Sequence, residues 1–329
     1  MTPDAGAPSR ERIAEAAGRL RGVARRTPLL SSPYLDEIAG RPLWVKAECL
    51  QHTGSFKFRG GWAALTALPE GTKGVLTYSS GNHAQGVARA AEMLGLPAVI
   101  VMPHDAPAQK RNNTAAMGAE IVGYDRHGED REAIGGPMAR ERGLHLVKPY
   151  DDPDVIAGQA SVGLEIAEQA AEAGIAGGTV IVCCGGGGLT AGTALAFEEA
   201  APGFTVRPAE PDGYDDVTRS LAAGHRMANQ ARPPSLCDAI LTPVPGEITF
   251  PIMHRLCGPG LAVTDDEALH AMALAFARLK LVLEPGGAVA LAAALFHGDA
   301  LADGPVIAVA TGGNVEADIF AEALRRFPV

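Results

Sequence analysis

The sequence predicts an α/β protein built on two open, twisted, mainly parallel sheets flanked by helices. Two observations predict it. From Lys73 onward, short β-branched runs alternate with longer Ala-rich amphipathic runs, and repeated strand, helix, strand order calls for parallel pairing through right-handed crossovers. The length of 329 residues is that of two domains rather than one.

Taken in order, residues 74–78, 98–102, 120–123 and 144–147 read as strands, and residues 82–94, 108–117 and 129–142 read as the helices between them. A second series follows, with a helix over 153–171, a strand over 179–184, a helix over 189–199 and a strand over 205–210. Residues 265–279 and 288–296 read as helices, and residues 306–310 as a last strand. The segments 68–72 and 150–153 are short, polar and turn-rich, and mark crossings between two lobes. Residues 1–70 and 151–329 then form a larger domain, and residues 71–150 a smaller one.

Composition narrows the function. Hydrophobic residues at 47% and charged residues at 20% describe a globular chain, not a disordered one or a coiled coil. A net charge of -10 repels phosphate backbones and anionic membranes, so nucleic acid and membrane surfaces are poor partners. The nearly uncharged stretch 178–197 is broken by four consecutive glycines and reads as strand, turn and buried helix, not as a membrane span. Cys49, Cys183, Cys184, Cys237 and Cys257 are odd in number and follow no metal or disulfide spacing, and residues 1–22 lack the apolar core of a signal peptide. Both features fit reduced thiols in the cytoplasm.

Ligands of open α/β sheets sit beyond the carboxyl ends of strands, so the loops that follow strands are where chemistry is expected. Gly185, Gly186, Gly187 and Gly188 run from a strand directly into a helix. Consecutive glycines let several N–H groups converge on an anion at the positive end of the helix dipole. A phosphate cradle is the functional reading, and a packed turn the bland one. Neither GxGxxG nor a P-loop spacing is present. Lys57 stands between Phe56 and Phe58, where desolvation would make an amine nucleophilic, although most lysines are solvated surface charges. Ser79, Ser80, Gly81, Asn82 and His83 follow a strand and open a helix, as a carboxylate seat or simply as an N-cap turn. Thr311, Gly312, Gly313 and Asn314 close the last strand, where a lone threonine is ordinarily a capping residue.

In this order and spacing, the four segments resemble the fold-type II pyridoxal phosphate enzymes, whose fold is like that of the tryptophan synthase β chain. Within them the chain resembles the threonine/serine dehydratase and serine racemase branch over almost its whole length. The resemblance implies a large cofactor-binding domain and a small mobile domain that gates the substrate. It gives Lys57 the internal aldimine and the abstraction of the Cα proton. Gly185 to Gly188 hold the phosphate, Asn82 bonds the cofactor's 3-hydroxyl, Phe56 packs beside the ring and Thr311 faces the pyridine nitrogen. A neutral hydroxyl there makes the ring a weaker electron sink, which favours elimination over transamination. Ser79 to His83 bind the substrate carboxylate, with Arg131 as a mobile cation nearby.

Ser80 is the residue by which racemases of the branch differ from many of its dehydratases, which carry Ala, and its presence leaves racemisation open. The resemblance also places Mg²⁺ or Ca²⁺ at Glu210, the Tyr214 carbonyl and Asp216, where an acidic helix start is the alternative. His52 departs from the Lys or Arg common in relatives. The absence of an ACT-type domain after Val329 points to an enzyme without feedback control. The expected activity is conversion of L-threonine and L-serine to 2-oxo acid and ammonia by a homodimer. Serine racemase, 3-hydroxyaspartate dehydratase and a noncatalytic phosphate-binding protein are the alternatives.

Overall fold

The computed structural model describes residues 6–79, 81–106, 108–126, 128–230 and 235–329. Helix α1 (Arg10–Leu20), strand β1 (Leu29–Ser31), helix α2 (Pro33–Ala39), strand β2 (Leu43–Lys46) and helix α3 (Lys57–Thr66) come first. An alternating series follows: β3 (Val75–Tyr78), α4 (Asn82–Leu94), β4 (Ala98–Pro103), α5 (Ala108–Ala116), β5 (Glu120–Tyr124), α6 (Arg131–Arg142) and β6 (His145–Leu146). The chain continues through α7 (Pro153–Glu172), β7 (Gly178–Cys183), α8 (Gly188–Ala200), β8 (Phe204–Pro211), α9 (Asp216–Ala223), α10 (Thr249–Leu256) and β9 (Leu261–Val263). It ends with α11 (Asp265–Leu279), α12 (Pro285–Phe296), β10 (Val306–Val309) and α13 (Ala317–Arg326).

Local chemistry explains the element ends. Asp152 caps α7 by accepting from the N–H groups of Asp154 and Val155, and Pro153 stands at the first helical position, where its missing N–H has no helical partner to lose. Thr264 and Glu267 form a reciprocal capping box at the start of α11. Helix α12 begins at Pro285, three residues before the expected start, for the same reason as α7. Strand β6 shrinks to His145–Leu146 because only these two residues pair with β3 at the sheet edge.

The larger sheet has the order β1-β2-β10-β7-β8-β9, parallel except for the β1 edge, and the smaller has the order β5-β4-β3-β6, parallel throughout. Each strand order reverses once. The chain moves outward from β7 to β8 and β9 and returns as β10 on the other side of β7; it moves from β3 to β4 and β5 and returns as β6 beside β3. Crevices therefore open beyond the carboxyl ends of β7 and β10, and of β3 and β6. Helix α12 is apolar on every side and buried, packed with Leu43, Val45, Leu269 and Met272 on one face of the larger sheet. Helices α7 and α8 cover the other face with Ile166, Leu189 and Phe197.

Helix α3 ties the two sheets together. It packs on α7 of the larger unit and on α4 of the smaller one, so closely that a Cβ on Gly86 would stand 2.8 Å from the Lys57 carbonyl carbon. Behind it lies a buried ionic cluster. Arg59, fully buried, donates to both oxygens of Glu48 at 2.8 Å and to both of Glu165 at 2.7 and 2.8 Å. Lys46 donates to Glu165 at 2.6 Å, to the Thr27 carbonyl at 2.8 Å and to Gln169 at 2.9 Å. Burial opposes the charge on Glu48, but Arg59 and Lys46 outweigh it and hold the carboxyl below its usual range. Two cations face two anions, so the cluster is neutral as a whole.

Removing one member leaves buried charge without a counterion, which costs far more than losing a surface pair. In urea unfolding, Arg59→Met is expected to lose about 3–5 kcal/mol. Arg142→Ala, which breaks the exposed pair with Glu120, should lose no more than about 1 kcal/mol.

Candidate active site

The crevices of the two sheets open into one cavity of about 530 Å³, whose walls include Phe56, Lys57, Asn82, Gly186, Glu284 and Thr311. Four segments build it.

The first is the turn from β7 into α8. Gly187 has φ +93, and no side chain caps the helix that follows. The Gly186 carbonyl is engaged by the Thr249 hydroxyl at 2.6 Å and the Gly246 N–H at 3.3 Å. The first-turn N–H groups of α8 thus remain for an anion, with the helix dipole behind them. A side chain does not fit here: a Cβ on Gly186 would enter the Tyr150 ring, and one on Gly187 would meet Met253 Cε at 2.5 Å.

Lys57, the first residue of α3, is the second contribution. Its Nζ donates to the Pro149 carbonyl at 2.7 Å and lies 5.2 Å from the centre of the Phe56 ring. Burial, then the positive charge of Arg131, lowers the amine to about 8. On the order of a hundredfold more of it is neutral at pH 8 than of an ordinary lysine.

The third segment follows β3. Ser79 Oγ accepts from the Gly81 N–H at 3.3 Å, and α4 starts at Asn82, also without a side-chain cap. Among the described residues, no side chain caps the first turn of α4, whose residues Asn82 and His83 line the same cavity. Asn82 Nδ2 donates to Glu284 Oε1. His83 is buried, and burial together with the charge of Lys57 holds its imidazole well below the usual range, so it is neutral. Ser80 lies outside the described residues.

Thr311 supplies the fourth wall. It is buried at the end of β10, and its carbonyl accepts from the Phe56 N–H at 3.1 Å, which joins the turn after β10 to the approach to Lys57. Arg131 opens α6 with its guanidinium 5.2 Å above the Tyr78 ring. Phe56, Lys57, Ser79, Gly81, Asn82, His83, Arg131, Gly185 to Gly188 and Thr311 all line this one cavity.

Some of the lining gave no sequence signal. Glu284, just ahead of α12, is buried, and its carboxyl is raised by burial. Lys110 Nζ stands 3.1 Å from Asp238 and 4.0 Å from Glu284 Oε2, and so spans from the smaller unit to the larger. Tyr150 lies against the glycine turn. These residues meet only through tertiary contacts. A polar residue before Pro285-Gly286-Gly287 was the one local hint, for Glu284.

Glu210, Tyr214 and Asp216 are not part of the cavity wall. The Glu210 carboxylate accepts from the N–H groups of Val217 at 2.9 Å and Thr218 at 2.7 Å, and so closes the start of α9. Asp216 accepts from Asn229 at 2.6 Å, while its other oxygen, Oδ2, is buried without a partner. Burial and the neighbouring Asp216 push Glu210 up to about 8, and burial pushes Asp216 up to about 7. Among the described residues, no three His, Cys, Asp or Glu side chains form a metal-binding group.

Comparison with known proteins places this geometry. The profile of the family described as pyridoxal-phosphate dependent enzyme matches residues 20–312. The chain is 40% identical to an L-threo-3-hydroxyaspartate ammonia-lyase of Pseudomonas sp over 315 residues, 95% of this chain and 97% of the relative. Among solved structures it matches a threonine deaminase of T.th. with a TM-score of 0.88 and 44% identity, over 94% of this chain and 99% of that one. It matches maize serine racemase with a TM-score of 0.90 and 35% identity, over 97% and 98%.

The residues present suit the cofactor of that family. The glycine turn, which a Cβ would fill, and the uncapped start of α8 suit its phosphate, and the enclosed amine of Lys57 suits its aldehyde. The chain belongs to the pyridoxal-phosphate dependent enzyme family and has the fold of its fold-type II members.

Proposed function

We propose that the protein is an ammonia-lyase that dehydrates β-hydroxy α-amino acids, L-threonine and L-serine foremost, to 2-oxo acids and ammonia. One observation carries this reading: a lysine amine and two helix N-termini without side-chain caps converge on a single cavity. That is one imine-forming nucleophile with seats for two anions, a phosphate at α8 and an α-carboxylate at α4. The names of the Pseudomonas and T.th. relatives support the reaction class.

Bound pyridoxal phosphate would supply an aldehyde for the substrate amine and a ring that withdraws electrons from Cα. The chain's own residues do the rest. The first turn of α8 holds the phosphate, and Phe56 packs beside the ring. Asn82 donates to the 3-hydroxyl oxygen. Thr311, a buried neutral hydroxyl in the cavity wall, would face the ring nitrogen and make the bound ring a weaker electron sink, which suits elimination. Ser79, Gly81 and His83 seat the carboxylate. Lys57 would accept the Cα proton; with its amine lowered to about 8, about a tenth of it is neutral at pH 7 and about half at pH 8. Ser80 would supply a second acid or base in addition to Lys57.

Residues 71–150 act as the smaller, substrate-gating domain, and residues 1–70 with 151–329 as the cofactor-binding one. Glu210, the Tyr214 carbonyl and Asp216 hold Mg²⁺ or Ca²⁺, a reading supported by the unpartnered buried oxygen of Asp216. A homodimer is supported by Tyr34, Ile38, Phe276 and Val282, large apolar side chains exposed on and beside α2 and α11. Cytoplasmic residence is supported by the five cysteines, all of them free thiols. No helix among the described residues is long and apolar enough to cross a membrane.

A second reading has its own observation. Arg131 sits in the cavity wall with no carboxylate partner among the described residues, which suits a substrate with a β-carboxylate, such as 3-hydroxyaspartate.

Assays for 2-oxo acid alongside chiral analysis of serine separate these readings. The parent enzyme is expected to form more 2-oxo acid than D-serine, and Ser80→Ala to suppress L- to D-serine conversion far more than dehydration. D-serine in excess makes the protein a racemase, and turnover of 3-hydroxyaspartate alone establishes the second reading. For the cation, chelation is expected to lower the melting temperature and added Mg²⁺ or Ca²⁺ to restore it, because an ion bound only by the folded state stabilises it. Unchanged melting in both conditions leaves Glu210 as a helix cap only.

A further inference from the structure

Asn314 lies outside the cavity wall, yet it controls a residue within it. We propose that Asn314 is a positioning residue whose amide fixes which atom of Asn82 faces the cofactor. The inference rests on the reading of Asn82 as donor to the cofactor's 3-hydroxyl oxygen.

Asn314 and Asn82 lie in a chain of hydrogen bonds with an acceptor at each end. The Thr53 carbonyl can only accept. Asn314 Nδ2 lies 2.8 Å from it, so the amide of Asn314 must turn its nitrogen that way. The same nitrogen lies 2.7 Å from Asn82 Oδ1, which takes its second N–H. With its oxygen committed to Asn314, Asn82 must turn its nitrogen the other way, where it meets the Glu284 carboxylate. One N–H goes to Glu284, and the other is left for the cavity that Asn82 lines. The assignment of nitrogen and oxygen in both amides thus follows from the acceptors at Thr53 and Glu284.

Both ends are held. Thr53 adopts left-handed angles, φ 58 and ψ 15, which β-branched residues rarely take, and this turns its carbonyl to Asn314. The turn is bound to the segment after β10 by Gly313 N–H to the Gly54 carbonyl at 2.9 Å and by Phe56 N–H to the Thr311 carbonyl at 3.1 Å. At the other end Gly312 gives Asn82 and Glu284 room to meet: a Cβ there would overlap Glu284 Oε1 and stand 3.2 Å from Asn82 Nδ2. Asn314 thereby links the turn before Lys57, the start of α4 and the end of β10 through one amide.

Asn314→Asp keeps the shape and removes the donor. Asn82 then has an acceptor on either side, and its nitrogen is drawn off the cofactor seat. A donor at the 3-oxygen stabilises the full negative charge left there once the chromophore loses its proton, so losing the donor raises the pH at which that proton leaves. The test is a pH titration of the visible absorbance of the holoenzyme, for Asn314→Asp, Asn82→Ala and the double variant. Each single variant is expected to raise the midpoint by about one pH unit, the size of a hydrogen bond to a charged oxygen. The double variant should add nothing further, because the two residues act as one. If Asn314→Asp does not fold, Asn314→Ala, which leaves the Asn82 amide held by Glu284 alone, should shift the midpoint in the same direction. A shifted midpoint in Asn82→Ala with an unshifted one in the Asn314 variants, or additive shifts in the double variant, overturns the positioning role alone. An unshifted midpoint in Asn82→Ala overturns the reading of Asn82 on which it rests.

Discussion

Arg59, clamped between the carboxylates of Glu48 and Glu165, holds the element on which the whole site depends. It stands two residues beyond Lys57 in the first turn of α3, and that helix touches both sheets. The guanidinium alone would be too costly to bury. Two carboxylates and Lys46 make the cluster neutral, and five side-chain hydrogen bonds on Arg59 satisfy its planar fork. The back of α3 is therefore fixed by directional bonds, while its first residue points into the cavity. The close approach of Gly86 to the Lys57 carbonyl adds a steric stop from the smaller unit.

Around that lysine the protein combines helix dipoles with the full charge of Arg131, which with burial lowers the amine. The helices α4 and α8 arrive with bare N–H groups, each backed by a helix dipole. Backbone donors at fixed positions need no reorganisation when an anion arrives, and they leave no buried counterion to compete with it. The cavity's full charges are held by neighbours, with Arg131 over Tyr78 and Lys110 between Asp238 and Glu284. Neutral groups occupy the centre, with Thr311 and the deprotonated imidazole of His83 on the wall. The result is a pocket that keeps a lysine amine near half ionisation at mildly alkaline pH.

From Lys73 to about Glu210 the strands and helices are legible in the sequence because each is a single hydrophobic run with its own turn signals, as with Val75–Tyr78 and Asn82–Leu94. The elements before Lys73 and those between residues 211 and 264 are not. Leu29–Ser31 and Leu261–Val263 are three residues long, too short for a period to register. The residues of the cavity wall that follow strands, such as Gly185 to Gly188 and Thr311, are legible for the reason that open sheets bind ligands there. Lys110 and Tyr150 carry no local pattern, Glu284 only a hint before Pro285, and Asn314 is legible as part of a turn but not as a partner of Asn82, because these contacts form across the chain or by the shape of a turn. The ionic cluster is hidden for the same reason, since Arg59, Glu48 and Glu165 look like surface charges when read singly.

The central claim is that the enclosure of Lys57 by α3, Phe56 and the Pro149 carbonyl makes its amine the reactive group of this cavity. The rate at which apoprotein acquires its visible chromophore from added pyridoxal phosphate, followed against pH with the parent chain and Lys57→Ala side by side, tests it most directly. Only the neutral amine reacts, so the account expects the parent's rate to rise through about pH 8 and level off above it, with no chromophore in Lys57→Ala. A rate that keeps climbing toward the ionisation of an ordinary lysine, or a full chromophore in Lys57→Ala, would contradict it.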